Sequence, residues 1–470
     1  MLNRKLVSLA SGVALTALAS SSQFAIADDF GAFVDQQLEA QSVRLFGVIQ
    51  GIESSSYASV SKGTAEADPL SLATFAKGLR ARVVTAAANT GPNIDMMGLW
   101  PAANPTHIIA CNEQGTSQAA LQRIRLSDGL VETILTGMSS CDPIRITAWG
   151  TVVAGEEAGS SGWLIEFENP LGIPADSVTF DRDTGMFSGT GADNFAARPA
   201  VGHLSFEGIA LYPNGVMYYG DENRPSRGTP GGAYFKFVPS APYDGSGQGL
   251  AASPLANGQV YGLRLGLRNG GTDYGQGSNS GKGVWVEVPD SNDANLRAAA
   301  ASLDLTGYYR PEDLDLDAAA LAAGAVRFCG NNTGNEEDDS NWGETICITD
   351  GTLDAATANE AVPELQLLVV GDADLAMPDN IAYQPGRGNW IVHEDGDGPA
   401  VGRNNDLWAC LDDGADRNGT SDGCLRIGTL NDLNAEWTGG FFDASGEHFY
   451  VSIQHNVTGH GVILDVTGWR

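Results

Sequence analysis

The chain has 470 residues, 58 of them acidic and 26 basic, which gives a formal net charge of −32. Such a surplus repels nucleic acid and anionic membrane surfaces and makes cations the natural partners. With 60 glycines and only 18% charged residues, the composition argues against long salt-bridged helices and for short strands joined by many turns.

Residues 1–27 carry Arg4 and Lys5, then the apolar run LVSLASGVALTALA, then AIA ahead of Asp28. This is the pattern of a Sec-type secretory signal, so the mature product is expected to begin near Asp28 and to be secreted or periplasmic. No later apolar run approaches the roughly 20 residues that cross a bilayer, so no membrane insertion is expected. Six cysteines remain. In an oxidising compartment an even count favours disulfides; Cys329 with Cys347, or Cys410 with Cys424, would close short loops, but sequence leaves the pairing open.

Residues 28–104 read as a lead-in that packs on the main domain and opens with the helical stretch FGAFVDQQLEAQSVRLF. From 105 to 470 the pattern changes to short runs of strand length, such as THIIACNE, GVMYYGDE, NWIVHED and HFYVSIQH, each bounded by Gly, Asp, Asn or Pro. Several runs finish in acids: Glu113, Glu156 with Glu157, Asp221 with Glu222, and Glu394 with Asp395. Their spacing, often about 45 residues, suits four-stranded blades whose equivalent ends meet at one channel. The predicted fold is therefore all-β, a β-propeller of about six blades with an irregular, partly helical N-terminal lead-in. A pair of β-sandwiches would have similar strands but gives no reason for acids to recur at strand ends.

The segments 221–223, 336–339, 393–398 and 412–423 are acidic enough to be cation loops, although none completes an EF-hand pattern. The Gly-rich stretch at 269–283 lacks phosphate-loop spacing, and there is no G-x-S-x-G. His203, His393, His455 and His460 lie beside acidic or Gly-rich turns and are secondary ligand candidates.

An ordered series of segments from about 105 to 458 resembles the PhoX family of secreted alkaline phosphatases. The segments are HIIACNE, CDPIRITAWGTVVAGEE (with a loop longer by one residue), VGHLSFEGIALYPNGVMYYGDE with GGAYFKFV, YYRPEDLDL, VRFCGNNTGNEEDDSNWGETICI, MPDNIAYQPGRGNWIVHEDG and EWTGGFFDASGEHFYVSIQH. The resemblance implies a propeller whose channel holds Ca2+ and Fe3+ and hydrolyses phosphate monoesters, a small-molecule phosphoester being its partner; separately, a monomer is expected. It implies Cys141 as an iron ligand and Glu157, Glu207 and Glu312 as metal ligands. Asp379, Glu394, Asp395 and Glu113 join them, and Arg310 clamps the phosphate beside Glu312. Carboxylate-held cations and a planar guanidinium are what a phosphoryl group in transit requires. Asp313, Asp315 and Asp317 are read as a solvated face. The alternative is a non-catalytic, calcium-stabilised propeller in which Cys141 is disulfide-bonded to Cys111.

Overall fold

A computed structural model describes residues 32–225, 231–266, 280–335, 341–396, 401–414 and 417–470. The signal segment, the acids at 336–339 and most of the 269–283 stretch lie outside the described residues.

The expected N-terminal helix is present as two short ones, Ala32–Ala40 and Ser42–Phe46, ended by Gly47 at φ 74°. Leu38 and Phe46 drop into an apolar core with Ile427, Trp437 and Val451, which is what fixes so short a helical segment against the sheets. Among the described residues no helix is long and apolar enough to cross a membrane.

The rest is predominantly β and propeller-like, with a few short helices between strands. Four blade-like sheets of four to six strands stand beside one ten-stranded sheet, rather than six discrete blades. The larger sheet runs continuously because Gly281–Glu287 pairs at one end with Glu364–Val370, joining a five-stranded and a four-stranded array by their outer edges. Six strands lie innermost: Ile94–Trp100, Cys141–Ile146, Phe206–Leu211, Pro311–Leu316, Pro378–Tyr383 and Glu436–Phe442. Each packs against the next, and the last returns to the first.

The boundary at residue 104 does not separate a lead-in from the sheets. Ala73–Phe75 pairs with Cys424–Leu430, Arg80–Thr85 pairs with Val462–Thr467, and Ile94–Trp100 is itself an innermost strand. The N-terminal strand thus completes the sheet built by the C-terminal strands, leaving one fewer open edge. The first two of these strands are short and pair with partners hundreds of residues away, so no local pattern marks them.

Apolar side chains fill the spaces between sheets. Ile109, Leu121, Ile144, Val152 and Phe167 form one such core, and Cys111 and Cys141 are bonded inside it, tying neighbouring sheets together. Cys329–Cys347 and Cys410–Cys424 are also bonded, each across a hairpin.

A candidate metal centre in two tiers of carboxylates

Five innermost strands begin alike: Ile94-Asp95, Cys141-Asp142, Phe206-Glu207, Pro311-Glu312 and Pro378-Asp379. In each, the first residue pairs with the end of the following strand, and pairing resumes only at the fourth residue. This bulge releases the second residue from the regular alternation, as bulges do beside functional sites. The carboxylates so placed, Asp95, Asp142, Glu207, Glu312 and Asp379, are all buried. The sixth strand has Trp437 at this position and bulges two residues later.

A second, half-buried tier comes from the residue just after each following strand: Glu113, Glu157, Glu222 and Asp395, with Thr333 and His455 at the equivalent places. Backbone N–H groups of Glu113, Glu157, Glu222, Thr333 and Asp395 donate to the carbonyls of Asn93, Ser140, Ser205, Arg310 and Met377, so the same closure recurs around the ring.

Together the tiers make three groups whose ligand atoms lie within 4.8 Å of one another: Asp95 with Glu113 and Asp142, Asp142 with Glu157 and Glu207, and Glu207 with Glu312 and Asp379. Shared members make them one continuous arc. The close approach of Phe206–Leu211 to Pro311–Leu316 depends on Gly208, where a Cβ would sit 2.1 Å from the Leu314 nitrogen.

Burial and mutual repulsion push every carboxyl of the arc upward. Desolvation is the first cause throughout; Glu113 and Glu312 rise to about 8, while Asp95, Asp142, Glu157, Glu207 and Asp379 move the same way. Glu157 shares a hydrogen bond with Glu113, and Glu436 shares one with Asp395. Like charges this close are held together either by protons or by cations.

Arg310 is the guanidinium set among these acids. Its Nε is 2.9 Å from Glu222 and 3.1 Å from Glu312, and its Nη2 is 3.7 Å from Asp395. Its φ of 55° lies in the left-handed region, which costs a non-glycine residue about 1 kcal/mol or more and is characteristic of functional positions. Ser140 and Met377, its counterparts ahead of two other innermost strands, share that conformation.

Of the residues expected from sequence, Glu113, Glu157, Glu207, Glu312 and Asp379 fall within the arc, and Asp395 and Arg310 lie beside it. Glu394 does not join them. Its carboxylate is clamped by Arg403 at 2.5 Å and accepts from the backbone of Ala376 and Asp406 and from the Trp408 indole. Glu156 with Arg182, and Asp221 with Arg297, repeat that arrangement, so the first acid of each tandem pair is a structural clamp. The arc also holds Asp95 and Asp142, which the sequence does not single out.

Cys141 is also excluded as a ligand, because its sulfur is bonded to Cys111. A thiolate-bound iron therefore does not fit this chain, whereas the oxygen-rich arc fits hard cations such as calcium. Nor are Asp313, Asp315 and Asp317 a solvated face. Asp313 pairs with Arg145 at 2.8 Å, Asp315 accepts from the Tyr383 backbone, and Asp317 caps a short helix while pairing with Arg327. Buried partners on other strands, invisible in the local sequence, claim all three. His393 is buried and donor-bonded to the Asn380 carbonyl, with burial lowering its pKa to about 4; His203 pairs with Asp293.

A cavity of about 350 Å3 lies toward the other end of the innermost strands, lined by Leu99, Ile146, Leu316, Tyr383 and Phe442. Its lining is largely apolar and it contains none of the arc.

The computed structure is similar to Pseudomonas fluorescens PhoX in complex with vanadate, a transition state analogue, with a TM-score of 0.61 at 15% identity, covering 88% of this chain and 97% of that one. An aldose sugar dehydrogenase from Streptomyces coelicolor in its PQQ-bound form gives a TM-score of 0.42 at 12% identity, over 83% and 98% of the two chains. No curated protein matches in sequence. Residues 145–456 match the family described as Alkaline phosphatase PhoX, a span that takes in Glu157, Glu207, Glu312 and Asp379 of the arc and begins after Asp95, Glu113 and Asp142. By that match, over more than half its length, the chain belongs to the PhoX family.

Proposed function

We propose that this protein is a secreted or periplasmic, metal-dependent phosphatase that hydrolyses phosphate monoesters in the channel of a six-bladed propeller, the ten-stranded sheet counting as two joined blades. It would act as a monomer. The observation that carries the reading is Arg310, a fork-shaped cation held within reach of a continuous arc of buried carboxylates.

When bound, hard cations would supply the positive charge that polarises a phosphoryl group. Asp95, Glu113, Asp142, Glu157, Glu207, Glu312 and Asp379 are the residues that would hold them. Arg310 would bind non-bridging phosphate oxygens through its Nη atoms, while Glu222 and Glu312 fix its Nε and so its orientation. Thr333 donates to a Glu312 oxygen and holds that carboxylate in place. Asp313, gripped by Arg145, fixes the strand behind Glu312.

The test is hydrolysis of an aryl phosphate by calcium-replete protein at alkaline pH. Turnover that survives Glu312→Ala would remove the channel from consideration. The second reading, a calcium-stabilised propeller without catalysis, is favoured by the Cys111–Cys141 bond. It predicts that calcium raises the melting temperature while no phosphoester in a broad panel is cleaved.

A further inference from the structure

We infer that the centre is an all-oxygen one, in which Asp142 stands where the resemblance places a thiolate and bridges two neighbouring hard-cation positions. Three observations carry this. Cys141 is the first residue of its innermost strand, the register position held elsewhere by Ile94, Phe206, Pro311 and Pro378. Ile94 and Phe206 point into apolar cores, and Cys141 does the same, bonded to Cys111 among Ile109, Ile144 and Val152. The position that contributes to the arc is the next one, and here it is Asp142.

Asp142 is also the carboxylate common to the group with Asp95 and Glu113 and the group with Glu157 and Glu207. It is 1% exposed, and its Oδ1 has no hydrogen-bond partner, which is a costly state for a buried polar atom unless a ligand completes it. A carboxylate can give one oxygen to each of two cations, and a donor set of carboxylates selects calcium-like ions over thiolate-bound iron.

This deepens the proposed function but is measured without substrate, so the two can fail separately. The mature protein is equilibrated with calcium and ferric citrate, desalted, and analysed for metals, visible absorption and thiols. The expected result is retained calcium, trace iron, no thiolate-to-iron absorption band, and no titratable thiol in unreduced, denatured protein. Asp142→Asn should lower bound calcium by about one ion per chain, whereas the Cys111→Ser/Cys141→Ser double variant should leave calcium unchanged. Stoichiometric iron, an absorption band, about two free thiols or full calcium retention by Asp142→Asn would each overturn the inference. If the cysteine variant does not fold, the metal and thiol content of the unmutated protein decides. An inactive protein that binds calcium and no iron would sink the phosphatase reading and leave this one standing.

Discussion

Arg310 stands at a position that serine and methionine fill ahead of other innermost strands, in the same left-handed conformation. The left-handed backbone is thus shared by three of the five closures, Asn93 and Ser205 closing without it, and the arginine is what this blade adds. Pro311 follows, opening the strand with a fixed φ and no N–H, so the side chains of Arg310 and Glu312 are set by a rigid junction. Replacing Arg310 by lysine keeps the charge but loses the fork that Glu222 and Glu312 orient. Arg310→Lys should lower kcat/KM by about 10- to 100-fold and Arg310→Ala by roughly 10²–10³-fold, within the range for losing one transition-state donor. Calcium binding should persist in both. Steady-state kinetics with calorimetric calcium titration checks this; equal activity of the lysine variant would show that the guanidinium geometry is not used.

At the scale of the strand, alternation alone reveals an acid only where it ends an apolar run; Glu207, Glu312 and Asp379, second in their strands, come from the resemblance instead. Glu113, Glu157 and Asp395 end runs, so alternation makes them visible. Asp95 and Asp142 follow the first residue of a run and look like the polar half of an ordinary strand. The shared opening of an acid two residues ahead of Met97, Ile144, Ile209, Leu314 and Ile381 is the cue that could have found them, but only the common bulge gives that spacing a meaning. The tandem acids are harder still. Glu394 and Asp395 are both acids in sequence, and only Arg403, brought in from the turn ahead of the next strand, tells clamp from ligand. The same local chemistry makes Gly208 a sharp test. A methyl group there would strike the backbone of Asp313 and Leu314, where no side chain can swing away. Gly208→Ala should cost about 1–3 kcal/mol of stability by overpacking and should weaken calcium binding by separating Glu207 from Glu312. Unchanged melting with unchanged calcium affinity would refute the role given to that close approach.

For the molecule as a whole, the surplus of acid has a local address as well as a global sum. Part of the −32 is spread over the surface, but a dense part is concentrated in one buried arc, where it opposes folding unless protons or cations intervene. The direction with pH follows. Glu113 and Glu312 titrate near 8 in the folded chain, whereas an unfolded glutamate titrates near 4.3. Between those values the unfolded chain has released protons that the folded one still holds, so unfolding becomes easier as pH rises. Metal-free protein should thus be most stable below about pH 4.5 with respect to these groups and lose that contribution as pH climbs through about 8. Cations bind the deprotonated arc and displace its protons, so their stabilisation should grow over the same interval. In EDTA the melting temperature should fall by several degrees from pH 5 to pH 8, and saturating calcium should abolish most of that fall. A saturating ligand at 100 times its Kd contributes about 2.7 kcal/mol per site, so calcium at pH 8 should shift melting clearly, and at pH 5 much less. Differential scanning calorimetry across this grid is decisive. A calcium shift of equal size at both pH values would mean that the ions bind surface loops with ordinary carboxylates, and that the arc is held by protons alone.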